Sequence, residues 1–262
     1  MVYKAEDEKP ISVIMAAYNA EQTISQAIDS VLAQSMPHFE LIVVDDRSAD
    51  KTGEILDRYE DPRIRILHNA ENRGAAASRY LGAEAAAGDW IAILDSDDLW
   101  RPDKLERQIR TQRESGADLV YTGSAFITAG GKPIEGLLHV PERIRYQQLL
   151  RQNVISNSSV LVRKELYLRY SPRADALHED YACWLGMLRD GYLAVGIDSP
   201  LLVYRLSKSS KTGNKLRSAK MNWRTLRYSG LPAWKAAVCM GYYAVNGIRK
   251  YAGLKYRQDN GM

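Results

Sequence analysis

Short apolar segments alternate with helix-like segments over the first hundred residues, and this alternation restricts the fold more than any other feature of the chain. Four segments are apolar and rich in β-forming residues: 11–17, 40–45, 63–67 and 90–94. Between them, residues 21–34, 52–59 and 75–87 show the apolar spacing of helices. Such alternation predicts a parallel sheet with helices packed on both of its faces.

Polar residues follow three of these predicted strands at the point where each strand ends. Tyr18 and Asn19 follow the first strand, and Asp45 and Asp46 end the second. The fourth strand runs into 95–98, which reads Asp-Ser-Asp-Asp. Sheets of this kind bind ligands outside the carboxyl ends of their strands. No G-x-G-x-x-G or Walker-type phosphate loop is present, which disfavours a dinucleotide oxidoreductase or an ATPase.

The three carboxylates of 95–98 repel one another, so their clustering requires an explanation. One explanation is a solvated turn in which Asp98 or Asp103 caps the next helix. The other is a divalent cation held against a diphosphate, because Mg²⁺ and Mn²⁺ prefer hard oxygen ligands and often take one or two carboxylates. A cation here would provide the phosphate anchor that a glycine loop provides elsewhere.

The composition is that of an ordinary folded protein. With 262 residues and 45% hydrophobic content, the chain can bury one large core or two small ones. Two distant cysteines form neither a metal-ligand spacing nor a disulfide framework. The polar N-terminus does not resemble a secretory signal, and no apolar run reaches the length of a membrane span. These features predict a cytoplasmic protein.

Charge is distributed unevenly along the chain. Residues 205–262 contain 13 Lys and Arg against one acid, which leaves 23 basic and 31 acidic residues in 1–204. A basic tail indicates an anionic partner. Between 231 and 256, aromatic residues are interleaved with Lys and Arg, which favours the inner face of an anionic membrane. The alternative is packing on the domain or on a second subunit of a homodimer; nucleic acid is disfavoured because no reading motif is present.

Five short motifs follow one another in the order and spacing of inverting family 2 glycosyltransferases, which the chain resembles from about residue 11 to 206. The motifs are Ala17-Tyr18-Asn19, the segment 43–48, Asn72-Arg73-Gly74, the segment 94–98 and Glu179-Asp180. The resemblance implies a GT-A fold: an α/β architecture with a Rossmann-like, mostly parallel central sheet flanked by helices. It also implies transfer of a sugar from a UDP-sugar donor to a hydroxyl of a glycan acceptor.

The same resemblance divides the chain into parts. Residues 1–206 would form the glycosyltransferase domain, with a nucleotide-binding half at 1–100 and an acceptor half at 101–206. Residues 207–262 would form a basic helical extension. A tail at the membrane surface would suit an acceptor carried on a lipid diphosphate, as in cell-surface polysaccharide synthesis.

Roles for individual residues also come from the resemblance. The positions expected to bind the donor nucleotide are Ala17, Tyr18, Asn19, Asp45, Asp46, Arg73, Asp95 and Ser96. In the family pattern, Asp45 or Asp46 accepts a hydrogen bond from the uracil ring, and Asp97 ligates Mn²⁺ or Mg²⁺. Asp180 matches the general base. The candidate acceptor contacts are Asn157, Ser158, Glu179 and Trp184.

Several of these assignments have structural alternatives. Tyr18 and Asn19 could form a turn and a helix N-cap, Asp45 and Asp46 could cap the helix that begins near 52 or pair with Arg47, and Arg73 could be a surface arginine. Glu179 and Asp180 could be first-turn acids that stabilise a helix dipole. Trp184, four residues later, could belong to the core. The functional alternatives are a sugar nucleotidyltransferase, which would carry a glycine-rich basic loop after the first strand, and a non-catalytic nucleotide-sugar-binding protein, which would not need Asp180.

Overall fold

The computed structural model of the chain describes residues 9–173, 175–206 and 215–251. Its strands are β1 (Ile11–Ala17), β2 (Phe39–Asp45), β3 (Ile64–His68), β4 (Trp90–Ile93), β5 (Leu99–Trp100), β6 (Leu119–Thr128), β7 (Pro133–Leu138), β8 (Leu161–Arg163) and β9 (Ala194–Leu206). Its helices are α1 (Ile24–Leu32), α2 (Thr52–Leu56), α3 (Ala75–Ala85), α4 (Lys104–Ser115), α5 (Tyr146–Arg151), α6 (Lys164–Tyr170), α7 (Glu179–Arg189), α8 (Lys215–Tyr228) and α9 (Ala233–Tyr251). A short 3₁₀ turn covers Asn157–Ser159.

These strands form one sheet in the order β3-β2-β1-β4-β8-β6-β9-β5, with β7 paired to β6. The first four strands in this order are parallel, as the alternation predicts. Beyond β4 the sheet is mixed: β8 is antiparallel to both of its neighbours, whereas β6 and β9 run parallel. The predicted α/β class is therefore confirmed, and the four neighbouring parallel strands all come from residues 11–93.

Helices cover both faces of the parallel half, so its strands are apolar on both sides. On β1, Val13 and Met15 pack into one core and Ile14 packs into the other. The helix α3 lies close to this strand because Gly82 has no side chain: an added Cβ would meet Ile14 Cγ2 at 2.7 Å. This close packing places α3 directly beside the sheet.

Four of the short elements were not predicted: β5, β7, α5 and α6. The strand β5 has only two residues, which is too short for a periodic pattern. The strand β7 begins at Pro133, a residue that is tolerated at the first position of a strand, and pairs with β6. Helix α2 is also shorter than the expected range 52–59: it ends at Leu56.

The basic tail contains two helices in the described part of the chain. Helix α8 packs against α7 and α9, and its buried residues include Met221, Thr225 and Leu226. Helix α9 ends at Tyr251, so the last residues of the aromatic and basic segment expected over 231–256 lie outside the described residues. No helix among the described residues is both long enough and apolar enough to cross a bilayer.

Candidate active site

The first two strand ends meet at one edge of the sheet. Ala17 at the end of β1 is paired with Asp45 at the end of β2, and the N–H of Asp46 donates to the Ala17 carbonyl at 2.8 Å. Ala17 is buried, whereas the next side chain, Tyr18, is 52% exposed. An exposed aromatic residue therefore follows the strand end that is paired with two buried aspartates.

Asn19 joins the turn after β1 to the loop after β2. It adopts a left-handed backbone conformation with φ of 49°, which asparagine tolerates better than most residues. Its N–H donates to Ser48 Oγ at 3.0 Å, and its Oδ1 accepts the N–H of Ala49 at 2.8 Å. The two loops are thus held together by Asn19 itself.

The two neighbouring aspartates at the end of β2 make different contacts. Asp46 is buried and accepts hydrogen bonds from Asn69 Nδ2 at 2.7 Å and from the N–H groups of Arg73 and Gly74, both at 2.8 Å. Its carboxylate thereby fixes the loop 69–74. Asp45 Oδ1 accepts the N–H of Ser48 at 3.2 Å, and its Oδ2 lies 3.3 Å from His68 Nδ1.

The loop fixed by Asp46 carries Arg73 with an exposed side chain and ends at Gly74. Gly74 has φ of +84° and ψ of 158°, a conformation available essentially to glycine alone. Asp175 then accepts the first N–H groups of α3, from Ala75 at 3.2 Å and Ala76 at 3.0 Å. The approach of α6–α7 to α3 is therefore stabilised at this loop.

The acid turn after β4 is supported from several sides. Asp95 Oδ1 accepts hydrogen bonds from Arg79 at 2.6 Å and from Asn157 Nδ2 at 3.2 Å, and its N–H donates to Ser158 Oγ at 3.1 Å. Among the described residues, no side chain donates to the Asp97 carboxylate. Burial, together with the charge of Asp95, raises the pKa of Asp97 to about 6.

A hard divalent cation fits this turn. The cation would relieve the repulsion between Asp95 and Asp97. The Asp97 carboxylate is available to bind it, because no other side chain of the described residues donates a hydrogen bond to it. The described residues contain no preformed group of three or more His, Cys, Asp or Glu side chains that could hold a metal. One or two carboxylates are sufficient, however, where phosphate and water complete the coordination.

Asp98 has a structural role that the sequence did not reveal. The explanation in which Asp98 or Asp103 caps α4 is not supported, because Asp103 occupies the N-cap position but its side chain makes no capping hydrogen bond. Asp98 is buried and accepts the N–H of Arg205 at 2.8 Å, while Arg205 Nε donates to the Asp97 carbonyl at 2.7 Å. Burial, with the nearby charge of Asp97, raises the pKa of Asp98. Arg205 on β9 therefore holds the backbone of the acid turn.

A buried arginine links the acid turn to the helix of the candidate base. Arg79 on α3 donates through Nη2 to Asp95 and through Nη1 to Glu179 at the start of α7. Burial alone would lower the pKa of Arg79, but the charges of Asp95 and Glu179 outweigh it and raise that pKa. Sequence reasoning missed Arg79. A signal was present, because Arg79 shares the core-facing stripe of α3 with Ala76 and Gly82.

Asp180 lies in the first turn of α7, next to this bridge. Its pKa is raised by burial and by the negative charge of Glu179. The preceding residue, His178, donates its N–H to Thr225 Oγ1 of α8 at 2.9 Å, and its Nε2 lies 3.3 Å from the Ser218 carbonyl. The turn that carries Asp180 is therefore held by α3 on one side and by α8 on the other.

Three candidate acceptor contacts have other roles. Trp184 is completely buried and packs near Tyr167, with ring centroids 6.4 Å apart, so it belongs to the core. Ser158 is buried and engaged with Asp95, and Glu179 is buried against Arg79. These three side chains do not present a surface to an acceptor. Asn157 is partly exposed and remains a candidate.

Comparison with known sequences identifies the family of the chain. The family model described as Glycosyl transferase family 2 matches residues 12–169. A putative teichuronic acid biosynthesis glycosyltransferase, TuaG of Bacillus subtilis, is 37% identical over 92% of this chain and 96% of its own length. The Escherichia coli protein WfgD, a UDP-Glc:α-D-GlcNAc-diphosphoundecaprenol β-1,3-glucosyltransferase, is 35% identical over 94% of this chain and 96% of its own length.

Solved structures share the fold at low sequence identity. Staphylococcus aureus TarS 1–349 in complex with UDP matches with a TM-score of 0.69 and 17% identity, over 96% of this chain and 74% of that one. The mannosyltransferase PcManGT of Pyrobaculum calidifontis, in complex with GDP-Man and Mn²⁺, matches with a TM-score of 0.66 and 18% identity, over 96% and 77%. The GT-A architecture expected from the resemblance is confirmed.

Proposed function

This chain belongs to glycosyltransferase family 2, and we propose that it is a metal-dependent, inverting hexosyltransferase that uses a UDP-sugar donor. The observation that carries the proposal is the Arg79 bridge, which ties the acid turn at Asp95 to the helix of Asp180. This connection supports the assignment of the donor-side acids and the candidate base to one site. Neither a sugar nucleotidyltransferase nor a non-catalytic binding protein accounts for Asp180 in this position.

On the donor side, we assign the uracil contact to Asp45, because Asp46 already accepts three hydrogen bonds from the loop 69–74. The exposed ring of Tyr18 can stack on the base, and Asn19 holds the surrounding loops. Arg73, exposed at the end of its loop, can approach the nucleotide from the other side. Ala17 and Ser96 would complete the contacts along the ribose and the diphosphate.

Asp97 would hold Mn²⁺ or Mg²⁺, with Asp95 kept in place beside it by Arg79 and Asn157. When bound, such a cation supplies Lewis-acid stabilisation of the negative charge on the leaving diphosphate. Arg205 fixes the backbone of the turn through the carbonyl of Asp97 and the carboxylate of Asp98. The chain thereby positions a carboxylate that would otherwise be repelled by its neighbours.

On the acceptor side, Asp180 would accept the proton of the attacking hydroxyl as the new bond to the anomeric carbon forms. A hydroxyl has a high pKa, so a carboxylate positioned to take its proton lowers the barrier. The raised pKa of Asp180 makes it a stronger base than an ordinary carboxylate. Attack opposite the departing diphosphate inverts the anomeric configuration.

We further propose that the acceptor is a glycan on a lipid diphosphate and that the protein works peripherally at the inner face of the membrane. The name of WfgD, which specifies a diphosphoundecaprenol-linked acceptor, supports this choice. Residues 1–206 would supply the transferase domain, with halves at 1–100 and 101–206, and 207–262 would supply the basic extension. Because α8 supports His178, this extension would also support the site.

The direct test is a screen for UDP release. Purified protein is incubated with Mn²⁺, a panel of UDP-sugars and a short-chain lipid-diphosphate monosaccharide acceptor. We expect one UDP-sugar to give acceptor-dependent UDP release and a product with inverted anomeric configuration. Release of inorganic diphosphate from a sugar phosphate and UTP would instead indicate a nucleotidyltransferase, and sugar binding without turnover would indicate a binding protein.

A further inference from the structure

Helices α8 and α9 each expose large aromatic or basic side chains on the sides that do not face the core. We call this the hairpin surface and define it by Lys220, Trp223, Arg224, Tyr228, Trp234 and Val238. Trp234 is 66% exposed and Tyr228 is 60% exposed. The surfaces of soluble proteins rarely carry such groups of exposed apolar side chains unless the surface is an interaction site.

The exposed side chains of the hairpin surface are not needed to complete the hydrophobic core. Helix α8 already buries a complete stripe at helical spacing, which includes Met221, Asn222, Thr225 and Leu226. Ala236 of α9 is buried in the same region. The core-facing side of the hairpin is therefore satisfied, and the aromatic residues lie on the remaining faces.

The charge of the hairpin selects the class of partner. From Lys215 to Tyr251 the sequence contains eight Lys and Arg and no Asp or Glu. Trp and Tyr favour the headgroup level of a bilayer, and Lys and Arg are attracted to anionic lipids. We propose that the hairpin surface docks on an anionic lipid bilayer. The biological purpose of this docking rests on the proposed lipid-linked acceptor, whereas the binding itself does not.

Docking at this surface would also orient the active site. The face of α8 opposite the hairpin surface contacts the turn that carries Asp180, through the hydrogen bond between His178 N–H and Thr225 Oγ1. The base would thus lie one helix away from the headgroups. A sugar attached to a lipid diphosphate emerges from the headgroup layer at a comparable level, so a short acceptor could reach the site while its lipid stays in the membrane.

The test uses the full chain and vesicles of phosphatidylcholine with or without phosphatidylglycerol. The charge-reversal variant Lys220→Glu/Arg224→Glu is compared with Arg58→Glu/Arg143→Glu, which makes the same change in net charge at exposed positions elsewhere. We expect the hairpin variant to lose roughly thirty-fold in affinity for anionic vesicles, about fivefold for each basic side chain. The control variant should retain most of its affinity. Circular dichroism and UDP binding check that each variant is folded.

A second measurement detects direct insertion. Tryptophan fluorescence of the wild type should be quenched by brominated acyl chains, and Trp223→Phe/Trp234→Phe should abolish that quenching, because Trp100 and Trp184 are buried and Trp90 lies in β4. Vesicle binding equal in both charge variants, or quenching that survives in the double Phe variant, overturns the inference. A dimer in sedimentation that Trp234→Ser dissociates, with no vesicle binding, assigns the surface to a second copy and also overturns it.

These outcomes are separable from failure of the proposed function. Vesicle binding needs neither donor nor acceptor, and turnover can be measured with a water-soluble acceptor in the absence of vesicles. Binding without turnover contradicts only the proposed chemistry, whereas turnover without binding contradicts only the docking surface.

Discussion

Replacing Arg79 by Met removes both ion pairs of the Arg79 bridge, those with Asp95 and Glu179. The side chains are 10% exposed for Arg79, 8% for Glu179 and 28% for Asp95. Removing one partner of a buried ion pair costs about 3–5 kcal/mol, because a charge stays buried without its counter-charge. Asp95 can be partly resolvated, so we expect a loss of about 3 kcal/mol in the free energy of unfolding, near the lower end of that range.

Urea unfolding measures the loss in stability, and steady-state UDP release measures its catalytic consequence. Because the acid turn and the base helix lose their link, we expect kcat to fall by about 100-fold. Arg79→Lys should recover only part of either quantity, since a single ammonium lacks the planar fork that reaches both carboxylates. In the double variant Arg79→Met/Glu179→Gln, part of the lost stability should return because the buried charge is gone.

Arg63→Met provides the matched control. Arg63 pairs with Asp61 in a more exposed ion pair, with side chains 32% and 25% exposed, so its loss should cost no more than about 1 kcal/mol. If Arg79→Met behaves like Arg63→Met in both unfolding and kcat, the claim that Arg79 joins the two parts of the site is refuted.

Three further results are expected. Gly74→Ala should lose about 2 kcal/mol in stability by urea unfolding, since its backbone conformation suits glycine and a Cβ would lie 2.0 Å from Asp175 Oδ2; wild-type stability would contradict that geometry. As the pH decreases, turnover should be lost at a pH above 3.8, the ordinary carboxyl pKa, because the pKa of Asp180 is raised. Glu179→Gln removes a negative neighbour and should therefore shift this acid limb of the pH profile to lower pH. If the limb does not shift, the charge of Glu179 does not raise the pKa of Asp180. Chelation of divalent cations should abolish turnover, added Mn²⁺ should restore it, and Asp97→Asn should require a higher Mn²⁺ concentration. Turnover that persists in the presence of a chelator would contradict the proposed metal dependence.

The sequence was sufficient for features that depend on local pattern. The buried strands β1, β2 and β4 are apolar on both faces, and their polar ends identify the edge where the candidate site lies. The motifs at these ends then led to the family. The mixed half of the sheet was harder to predict, because β5 and β8 have two and three residues and their pairing depends on distant partners.

The contacts within the site were the least predictable part. Arg79 and Arg205 act through partners about 16 to 108 positions away in the sequence, which spacing does not reveal. The same limitation explains why Ser158 and Glu179 were taken for acceptor contacts. Each has a polar side chain near a motif, but each is turned inward to support the acid turn or its bridge.

The assignment of Asp180 as general base is tested most directly by Asp180→Asn, with turnover and donor binding measured on the same protein. The account predicts that kcat falls by about 10²–10⁴-fold, whereas the affinities for UDP and Mn²⁺ stay within a factor of two or so of wild type. Asp190→Asn, at the opposite end of α7, is the matched control and should keep its turnover. Turnover that survives in Asp180→Asn, with donor binding intact, would contradict the central claim.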